Sequence, residues 1–359
     1  MVNVSVHTVG MDRNTRVALA ERVRGASAAV AEEVTDRFLA RHPDWLTRYG
    51  ERARTRGIED ARYHLSFLAS AFETGTPATF VDYARWTAGV LEARGIRREF
   101  LAETLRQVSD ALSERLPGAA DALHHYVDAA VAALANLQAE EATPRAESLL
   151  DLTRAMYVQA VLAGERSAAL TIVTDALRNG ASAVDVYVDV LQAALYEVGR
   201  LWESNRITVA HEHAATAITQ FVTAHLYDRL ERSPSTAKRG TMVLTGLEGE
   251  LHSIGALMVA DVLETRGWTV HFLGTNLPHA SIVDTIRRYE PDCVGISATM
   301  LFNLPAVRRL IESVRDEWGR SKRIMLGGGA FRRTPELWRE LGADGHAGDL
   351  RQALSLMCQ

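Results

Sequence analysis

The residues with the clearest capacity for chemistry form a short run, residues 250–255, where an apolar stretch at 242–247 gives way to a loop. His252 can donate a ring-nitrogen lone pair to a metal while its other N–H bonds a carboxylate that fixes the tautomer. Glu250 is the candidate carboxylate, and Gly255, which has no Cβ, lets a bulky group approach the backbone. The run predicts an imidazole presented to a metal where a strand gives way to a helix. For such a run taken alone, a solvated loop histidine is the alternative.

Small and hydroxyl-bearing residues follow two later predicted strands of the same region. Ser297 and Thr299 lie at the end of one strand, and Gly327 and Gly328 follow the next. The binding edge of an open α/β sheet is the edge where its strands have their carboxyl ends. We therefore expect these four residues to lie at the same ligand-binding edge as the histidine.

Over residues 240–359 this ordered set resembles the cobalamin-binding domain of methionine synthase, the carbon-skeleton mutases and corrinoid proteins. The consensus there reads D-x-H-x-x-G, then S-x-L or S-x-T, then G-G, and Glu250 here replaces the aspartate. The resemblance implies an α/β, Rossmann-like (flavodoxin-like) domain in which His252 is the lower axial ligand of cobalt. The cofactor's own benzimidazole base would move into a slot in the sheet. The slot residues would be Gly255, Ser297, Thr299, Gly327 and Gly328, for which ordinary strand-end hydroxyls and turn glycines are the alternative.

The preceding stretch, residues 146–233, has apolar residues at three- and four-residue spacing and predicts a four-helix bundle. It contains the pattern W-x6-V-x2-E-H, which resembles the cap of CarH-type adenosylcobalamin photoreceptors. The resemblance implies that the tryptophan packs on the 5′-deoxyadenosyl group, the valine fills apolar space and the last two residues make polar contacts. The matching residues are Trp202, Val209, Glu212 and His213. The alternative is a core tryptophan and valine beside a solvated Glu-His pair.

One position departs from the photoreceptor pattern. Glu203 follows the tryptophan, whereas the DNA-binding photoreceptors carry a histidine there that ligates cobalt from above after the adenosyl group is lost. We do not expect Glu203 to reproduce that bis-histidine state. Whether another histidine ligates from above is left open.

The first 145 residues read as five or six helices, an all-α domain without a cysteine. This architecture resembles the photocobilins, in which an added helical domain binds biliverdin without a covalent bond. A tetrapyrrole needs arginines for its propionates, a carboxylate or histidine for its nitrogens, and aromatic rings to stack on. The candidate bilin residues are His64, Asp82, Tyr83, Arg85 and Trp86. A globin-like sensor holding haem, or a bundle that only dimerises, fits the same pattern.

Composition narrows the remaining choices. The formal net charge is -5 over mixed-sign helices, which offers no basic face for nucleic acid. No apolar run approaches a membrane span, and no signal-peptide core follows the first residues, so we expect a cytoplasmic protein. The two cysteines, Cys293 and Cys358, form neither a disulfide framework nor a paired metal motif.

The combined interpretation is an adenosylcobalamin-dependent light sensor, in which photolysis of the Co–C bond rearranges the cap, with biliverdin open as a second chromophore. The alternative is a corrinoid carrier, or the cobalamin subunit of a methyltransferase or mutase. No catalytic acid, base or nucleophile is identified beyond the cofactor site, so the chain is interpreted as a signalling protein rather than an enzyme on its own. The downstream signalling partner is left open, as is a homodimer.

Overall fold

The computed structural model describes residues 11–137, 148–230, 238–332, 334 and 336–358. It separates into two compact units, Met1–Glu140 and Glu141–Gln359. The predicted domain boundary at residues 140–144 and the predicted linker at 233–236 lie outside the described residues.

The regular elements described in the first unit are helices. They are α1 (Arg13–Arg41), α2 (Asp44–Tyr49), α3 (Arg52–Thr74), α4 (Pro77–Glu92), α5 (Arg98–Arg115) and α6 (Ala120–Ala135). Helix α4 begins where its sequence predicts, because the Thr76 hydroxyl accepts the N–H of Ala78 and Pro77 takes the first helical position. Helices α1 and α3 pack along each other, and α4 and α5 both pack on α6.

The second unit begins with helices that pack around one buried core. They are α7 (Leu149–Leu162), α8 (Arg166–Arg178), α9 (Ala183–Asp185), α10 (Ala193–Glu203) and α11 (Val209–Leu226). A π-helical segment, Val186–Gln192, joins α9 to α10 without a break. Its wider turn is visible at its end, where the N–H of Ala193 donates to the carbonyl of Val188, five residues earlier.

A parallel five-stranded sheet follows in the same unit. Its strands are β1 (Gly240–Gly246), β2 (Trp268–Phe272), β3 (Cys293–Ser297), β4 (Arg323–Gly327) and β5 (Gly345–Ala347). The connecting helices are α12 (Ile254–Thr265), α13 (His279–Tyr289), α14 (Leu304–Trp318), α15 (Gly329–Arg332), α16 (Leu337–Leu341) and α17 (Leu350–Met357). The strand order is β2-β1-β3-β4-β5, with every described pair parallel. The order reverses beside β1, and the loop after β1 carries the histidine run, which is where open α/β sheets bind ligands.

The two faces of the sheet are covered differently. One face packs Val243, Val294 and Ile324 against α13 and α14 in a buried cluster. The other face packs Met242 and Met325 toward α12 and α17. The prediction of a parallel-sheet domain together with helical regions before it is confirmed. None of the helices in the described ranges is long and apolar enough to cross a membrane.

Candidate functional site

A cavity of about 780 Å³ lies inside the second unit, at the carboxyl ends of β3 and β4. We call it the carboxyl-edge cavity. Helices α10 and α11 and the π-helical segment line one part of it, and the sheet, the loop after β1 and helices α12 and α17 line the rest. Seven of the predicted cobalamin residues are among its lining: Glu212, His213, Gly255, Ser297, Thr299, Gly327 and Gly328, together with the predicted ligand His252.

His252 is held by the carboxylate that the sequence predicts. Its Nδ1 lies 2.6 Å from Oε1 of Glu250, and the same oxygen accepts the backbone N–H of His252 at 3.0 Å. The other carboxylate oxygen accepts the N–H of Thr299 at 2.6 Å and the side-chain amide of Asn303 at 3.1 Å. Glu250 is 0% exposed, whereas the His252 side chain is 58% exposed. The imidazole is therefore fixed through Nδ1, and Nε2 is the ring nitrogen directed away from the carboxylate.

The electrostatics of this pair favour a charged carboxylate beside the imidazole. The hydrogen bond to Glu250 raises the pKa of His252, with burial opposing it. Burial alone would raise the pKa of Glu250, but hydrogen bonds from His252 and Thr299 outweigh burial and lower it. A carboxylate that accepts the Nδ1 proton raises the basicity of the other nitrogen toward a metal.

Two of the predicted glycines, Gly328 and Gly255, lack a side chain for different geometric reasons. Gly328 has φ +98°, and a Cβ there would lie 2.3 Å from the carbonyl oxygen of Ala298, so no other residue fits. Gly255 differs, because a Cβ at that position would meet nothing within 4 Å. Gly255 lines the cavity, so this open space is available to a bulky ligand.

The predicted cap residues divide into two pairs. Glu212 and His213 line the cavity, and the Glu212 carboxylate lies 2.6 Å from Nδ1 of His213. Trp202 and Val209 are not among the lining residues, and Val209 is 54% exposed. Glu203 lines the cavity instead. That Trp202 and Val209 cover the upper ligand stays a prediction.

Sequence reasoning missed a second row of polar residues in the cavity wall. They are Gln192, Tyr196, Thr216, Gln220 and Arg332. The first four recur at four-residue spacing on their helices, which is a signal that was available in the sequence. Arg332 was not predictable in this way, because its guanidinium reaches the Tyr196 ring, 5.2 Å from its centroid, across 136 residues of chain.

The five predicted bilin residues, in the first unit, do not converge on one pocket. His64 and Tyr83 are buried and bonded to each other, with 2.8 Å between Nδ1 and the hydroxyl, and burial lowers the pKa of His64 to about 4. The Tyr83 ring stacks on Phe67 at 3.9 Å. Arg85 and Trp86 lie on the exposed side of α4, and Asp82 is half-buried. Helical geometry separates the two sets, because residues 83 and 85 lie about 200° apart around the helix axis.

A single imidazole suits a metal that arrives with its own equatorial ligands. The described residues contain no group of three or more His, Cys, Asp or Glu side chains that could hold a bare metal ion. A cavity of this size, one presented imidazole and small residues along the sheet edge fit a corrinoid better than a free ion.

Comparison with known proteins decides the family. Two family models, each described as a B12 binding domain, match residues 153–227 and 240–355. Dimethylamine corrinoid protein 1 of Methanosarcina acetivorans is 32% identical over 168 residues, which is 46% of this chain and 77% of that protein. The chain belongs to the corrinoid protein family.

Two further proteins are similar to this corrinoid protein. Dimethylamine corrinoid protein 3 of Methanosarcina mazei is 31% identical over 162 residues, 44% of this chain and 95% of that protein. The solved monomethylamine corrinoid protein of Methanosarcina barkeri is 20% identical with a TM-score of 0.48, covering 56% of this chain and 95% of that one.

The prediction of a light sensor is wrong. The curated relatives of this corrinoid protein reported above are corrinoid proteins named for dimethylamine, not photoreceptors. The misleading signal was the W-x6-V-x2-E-H pattern, of which only the Glu-His end lines the cavity. Cobalamin binding stands, whereas biliverdin as a second chromophore has no support from the structure or the relatives.

Proposed function

We propose that this protein is a corrinoid carrier, which receives a methyl group at its bound cofactor from one methyltransferase and presents it to another. The supporting observation is its 32% identity to a dimethylamine corrinoid protein over 168 residues. This interpretation replaces the adenosyl group with a methyl group as the upper ligand. We propose no catalytic acid or base within the chain, so the chemistry of activation belongs to the partner enzymes.

The corrinoid would supply a cobalt centre that, when reduced, takes up a methyl group and later yields it to a nucleophile. The protein's part is to bind and orient that group. We assign His252 as the lower axial ligand through Nε2, with Glu250 holding Nδ1 at 2.6 Å. Since the Glu250 carboxylate also accepts from Thr299 and Asn303, its position is fixed before any ligand arrives.

The helical wall of the carboxyl-edge cavity would face the upper side of the cofactor. Tyr196 is 54% exposed, and the His213 side chain is 77% exposed. A carrier must give two partner proteins access to a small upper ligand, and a wall with exposed side chains suits that requirement. A methyl group needs far less cover than an adenosyl group, which agrees with Trp202 lying outside the cavity lining.

The decisive experiment tests methyl uptake without a partner. The purified protein is loaded with hydroxocobalamin, reduced with titanium(III) citrate and exposed to methyl iodide, while absorbance follows alkylation of the bound cofactor. A carrier should become methylated to about one equivalent per bound corrinoid and pass the group to a methyltransferase that consumes free methylcobalamin. Bound cofactor that cannot be reduced or methylated would overturn the proposal.

A paired measurement separates the carrier from the light sensor. The apoprotein is titrated with methylcobalamin and with adenosylcobalamin in the dark. A carrier should bind methylcobalamin at least as tightly, because a methyl group needs none of the cover that an adenosyl group requires. Clear preference for adenosylcobalamin, lost in Trp202→Ala and retained in Trp45→Ala, would contradict the carrier interpretation.

A further inference from the structure

A buried pair of polar residues in the first unit has no part in the proposed function. His64 of α3 and Tyr83 of α4 are both buried, and 2.8 Å separates Nδ1 of the imidazole from the phenol oxygen. Removing polar groups from water is unfavourable unless they bond each other, and apolar side chains would fill the same space without that requirement. The pair is therefore a candidate for chemistry of its own.

Both members of the pair are uncharged at neutral pH. Burial lowers the pKa of His64 to about 4, so the imidazole carries no charge. Burial also raises the pKa of Tyr83, so the phenol keeps its proton. A neutral imidazole with its proton on Nε2 accepts a hydrogen bond at Nδ1. The phenol therefore donates to a base that can take up one more proton.

An imidazole in this position changes what the phenol can do. Loss of one electron makes a phenol hydroxyl strongly acidic, and in an apolar core the proton needs an acceptor within hydrogen-bond distance. Nδ1 of His64 is such an acceptor, and the positive charge then rests on the imidazole rather than on the oxidised phenol. Asp60, one helical turn before His64, lies within electrostatic range of Tyr83. Burial raises the pKa of Asp60 to about 6, which leaves it mostly ionised at neutral pH, so its negative charge offsets the imidazolium.

The phenol ring also has an aromatic route to the surface. It stacks on Phe67 with 3.9 Å between ring centroids, and its centroid lies 6.2 Å from that of Trp86. Trp86 is 39% exposed, so its indole meets solvent whereas the ring of Tyr83 does not. An indole gives up an electron far more readily than a phenyl ring does. Trp86 rather than Phe67 is therefore the step between an oxidant in solution and the buried phenol.

Three other buried tyrosines show what is particular to this arrangement. The Tyr126 hydroxyl has no hydrogen-bond partner within the described residues, and the Tyr157 hydroxyl bonds a threonine hydroxyl at 3.1 Å. Neither hydroxyl is bonded to a base. Tyr187 donates to a carboxyl group at 3.1 Å. Of these four tyrosines, Tyr83 is the one that combines a bonded imidazole with ring contact to an exposed tryptophan.

We propose that Tyr83 is a one-electron redox site that gives its proton to His64 and its electron, through Trp86, to an oxidant at the surface. In this step the O–H bond of the phenol breaks, the proton binds Nδ1, and the electron reduces a one-electron oxidant of the photoexcited flavin or oxidised metal-complex class. The products are a neutral tyrosyl radical, an imidazolium and the reduced oxidant, and return of the electron restores the pair. The inference concerns the first unit and does not depend on the proposed function.

Flash oxidation of the full-length protein without corrinoid tests the proposal. A ruthenium tris(bipyridine) sensitiser and persulfate generate the oxidant in solution, while transient absorbance and electron paramagnetic resonance follow the tyrosyl radical. The unaltered protein should form a long-lived radical, because the surrounding core shields it from solution. Tyr83→Phe should remove most of that signal, whereas Tyr157→Phe, at a buried tyrosine without a bonded base, should retain it. A long-lived signal that is unchanged in Tyr83→Phe, or absent from the unaltered protein, would overturn the proposal.

Two variants of the base separate a proton acceptor from a packing partner. His64→Phe keeps a ring in the core and His64→Gln keeps a hydrogen-bond acceptor, but neither side chain can take up a proton at neutral pH. Both should slow formation of the radical by roughly 100-fold, within the range for a positioned base, whereas His42→Gln at a half-buried imidazole should not. Electron–nuclear double resonance should show a hydrogen bond from the imidazolium to the radical oxygen in the unaltered protein and none in His64→Phe. A rate in His64→Gln within about threefold of the unaltered protein would show that His64 only packs there, which contradicts the proposal.

The electron route has its own test. Trp86→Phe should slow radical formation several-fold, and the solvent deuterium isotope effect should shrink, because delivery of the electron then limits the rate. Trp45→Phe, at a half-buried tryptophan of the same unit, is the control and should leave both values unchanged. Circular dichroism and thermal unfolding show whether each variant folds. An unchanged rate in folded Trp86→Phe would overturn the route through Trp86.

Discussion

The lower and upper sides of the carboxyl-edge cavity are built on opposite plans. On the lower side, a fully buried carboxylate at Glu250 accepts hydrogen bonds from His252, Thr299 and Asn303, so the imidazole has one orientation. On the upper side, Tyr196 and His213 are largely exposed. We therefore expect the contacts on the lower side to set the affinity for the cofactor, and the exposed side chains on the upper side to permit exchange of the upper ligand. Four predictions test these two sides and the contact that joins them.

Replacement of the lower ligand should have the largest effect. His252→Ala removes the imidazole that we assign to cobalt, and loss of cofactor affinity should exceed about 100-fold, beyond the range typical of indirect supporting residues. Absorbance titration with hydroxocobalamin measures this loss. His225→Ala, on the same unit but outside the cavity lining, is the matched control. Affinity within threefold of the unaltered protein would break the comparison.

Loss of the supporting carboxylate should have the next largest effect. Glu250→Ala should weaken cofactor binding about 10- to 100-fold, because the imidazole loses the partner that fixes its tautomer. It should also lower the free energy of unfolding by about 1–3 kcal/mol, since the donors of Thr299 and Asn303 lose their buried acceptor. Glu250→Asp keeps the charge, so its cofactor affinity and its free energy of unfolding should lie between those of Glu250→Ala and the unaltered protein. If Glu250→Ala binds normally while its stability drops, the carboxylate serves only the fold.

A third prediction concerns the contact between residues 185–192 and helices α12 and α17, which we call the joint. Tyr187, in the π-helical segment, donates a hydrogen bond at 3.1 Å to Asp261 of α12, whose pKa burial raises to about 6. Because the folded-state pKa lies above the unfolded value of about 4, the folded state holds this proton longer. The free energy of unfolding should fall by roughly 2–3 kcal/mol between pH 4 and pH 7 from this group.

Asp261→Asn tests this dependence, because an amide does not titrate. Chemical denaturation at pH 4.5, 5.5 and 7 should show a smaller decline than in the unaltered protein. Tyr187→Phe removes the hydrogen bond and keeps the titrating carboxyl, so a decline should remain in that variant. Parallel curves for Asp261→Asn and the unaltered protein would contradict the assignment.

The smallest effect is expected at the exposed ion pairs across the same joint. Arg351 of α17 bonds Asp185 at 2.8 Å and Asp189 at 2.7 Å, but its side chain is 44% exposed. Arg351→Ala should lower the free energy of unfolding by no more than about 1 kcal/mol, and by less in 1 M salt. Arg351→Lys keeps the charge and tests whether the paired geometry matters. A loss above 2 kcal/mol would show that these exposed pairs hold the joint more firmly than their exposure indicates.

The lower half of the site was predictable because its constraints are local. Glu250 and His252 are two residues apart, so one short run specifies the hydrogen bond between them. The start of α4 was predictable for the same reason, because the capping residue Thr76 and the first helical residue Pro77 are adjacent in the sequence. Strand β1 was predicted at residues 242–247 and lies at Gly240–Gly246. The prediction came close because an apolar run between polar loops is typical of a buried strand.

The upper half was not predictable, because its geometry depends on rotation about a helix axis. The spacing of Trp202, Val209 and Glu212 matched a known cap, yet spacing does not fix which face of α10 turns toward the sheet. The π-helical segment, which shifts that face, left no recognisable signal in the sequence. Asn303 was missed for another reason: its amide reaches Glu250 across 53 residues, through the packing of two loops.

The π-helical segment has a consequence for how this wall tolerates insertion and deletion. A π turn holds one residue more than an α turn, so removing one residue between 186 and 192 would convert the segment to an ordinary helix. The wider turn takes up the additional residue, so after such a deletion the residues on either side of the segment would keep nearly the same orientation about the helix axis. Tyr196 and Glu203 would still face the cavity. A deletion within α10 itself has no such turn to absorb it and would rotate the residues after it by about 100°. A single-codon deletion should therefore be tolerated between 186 and 192 and disruptive in α10.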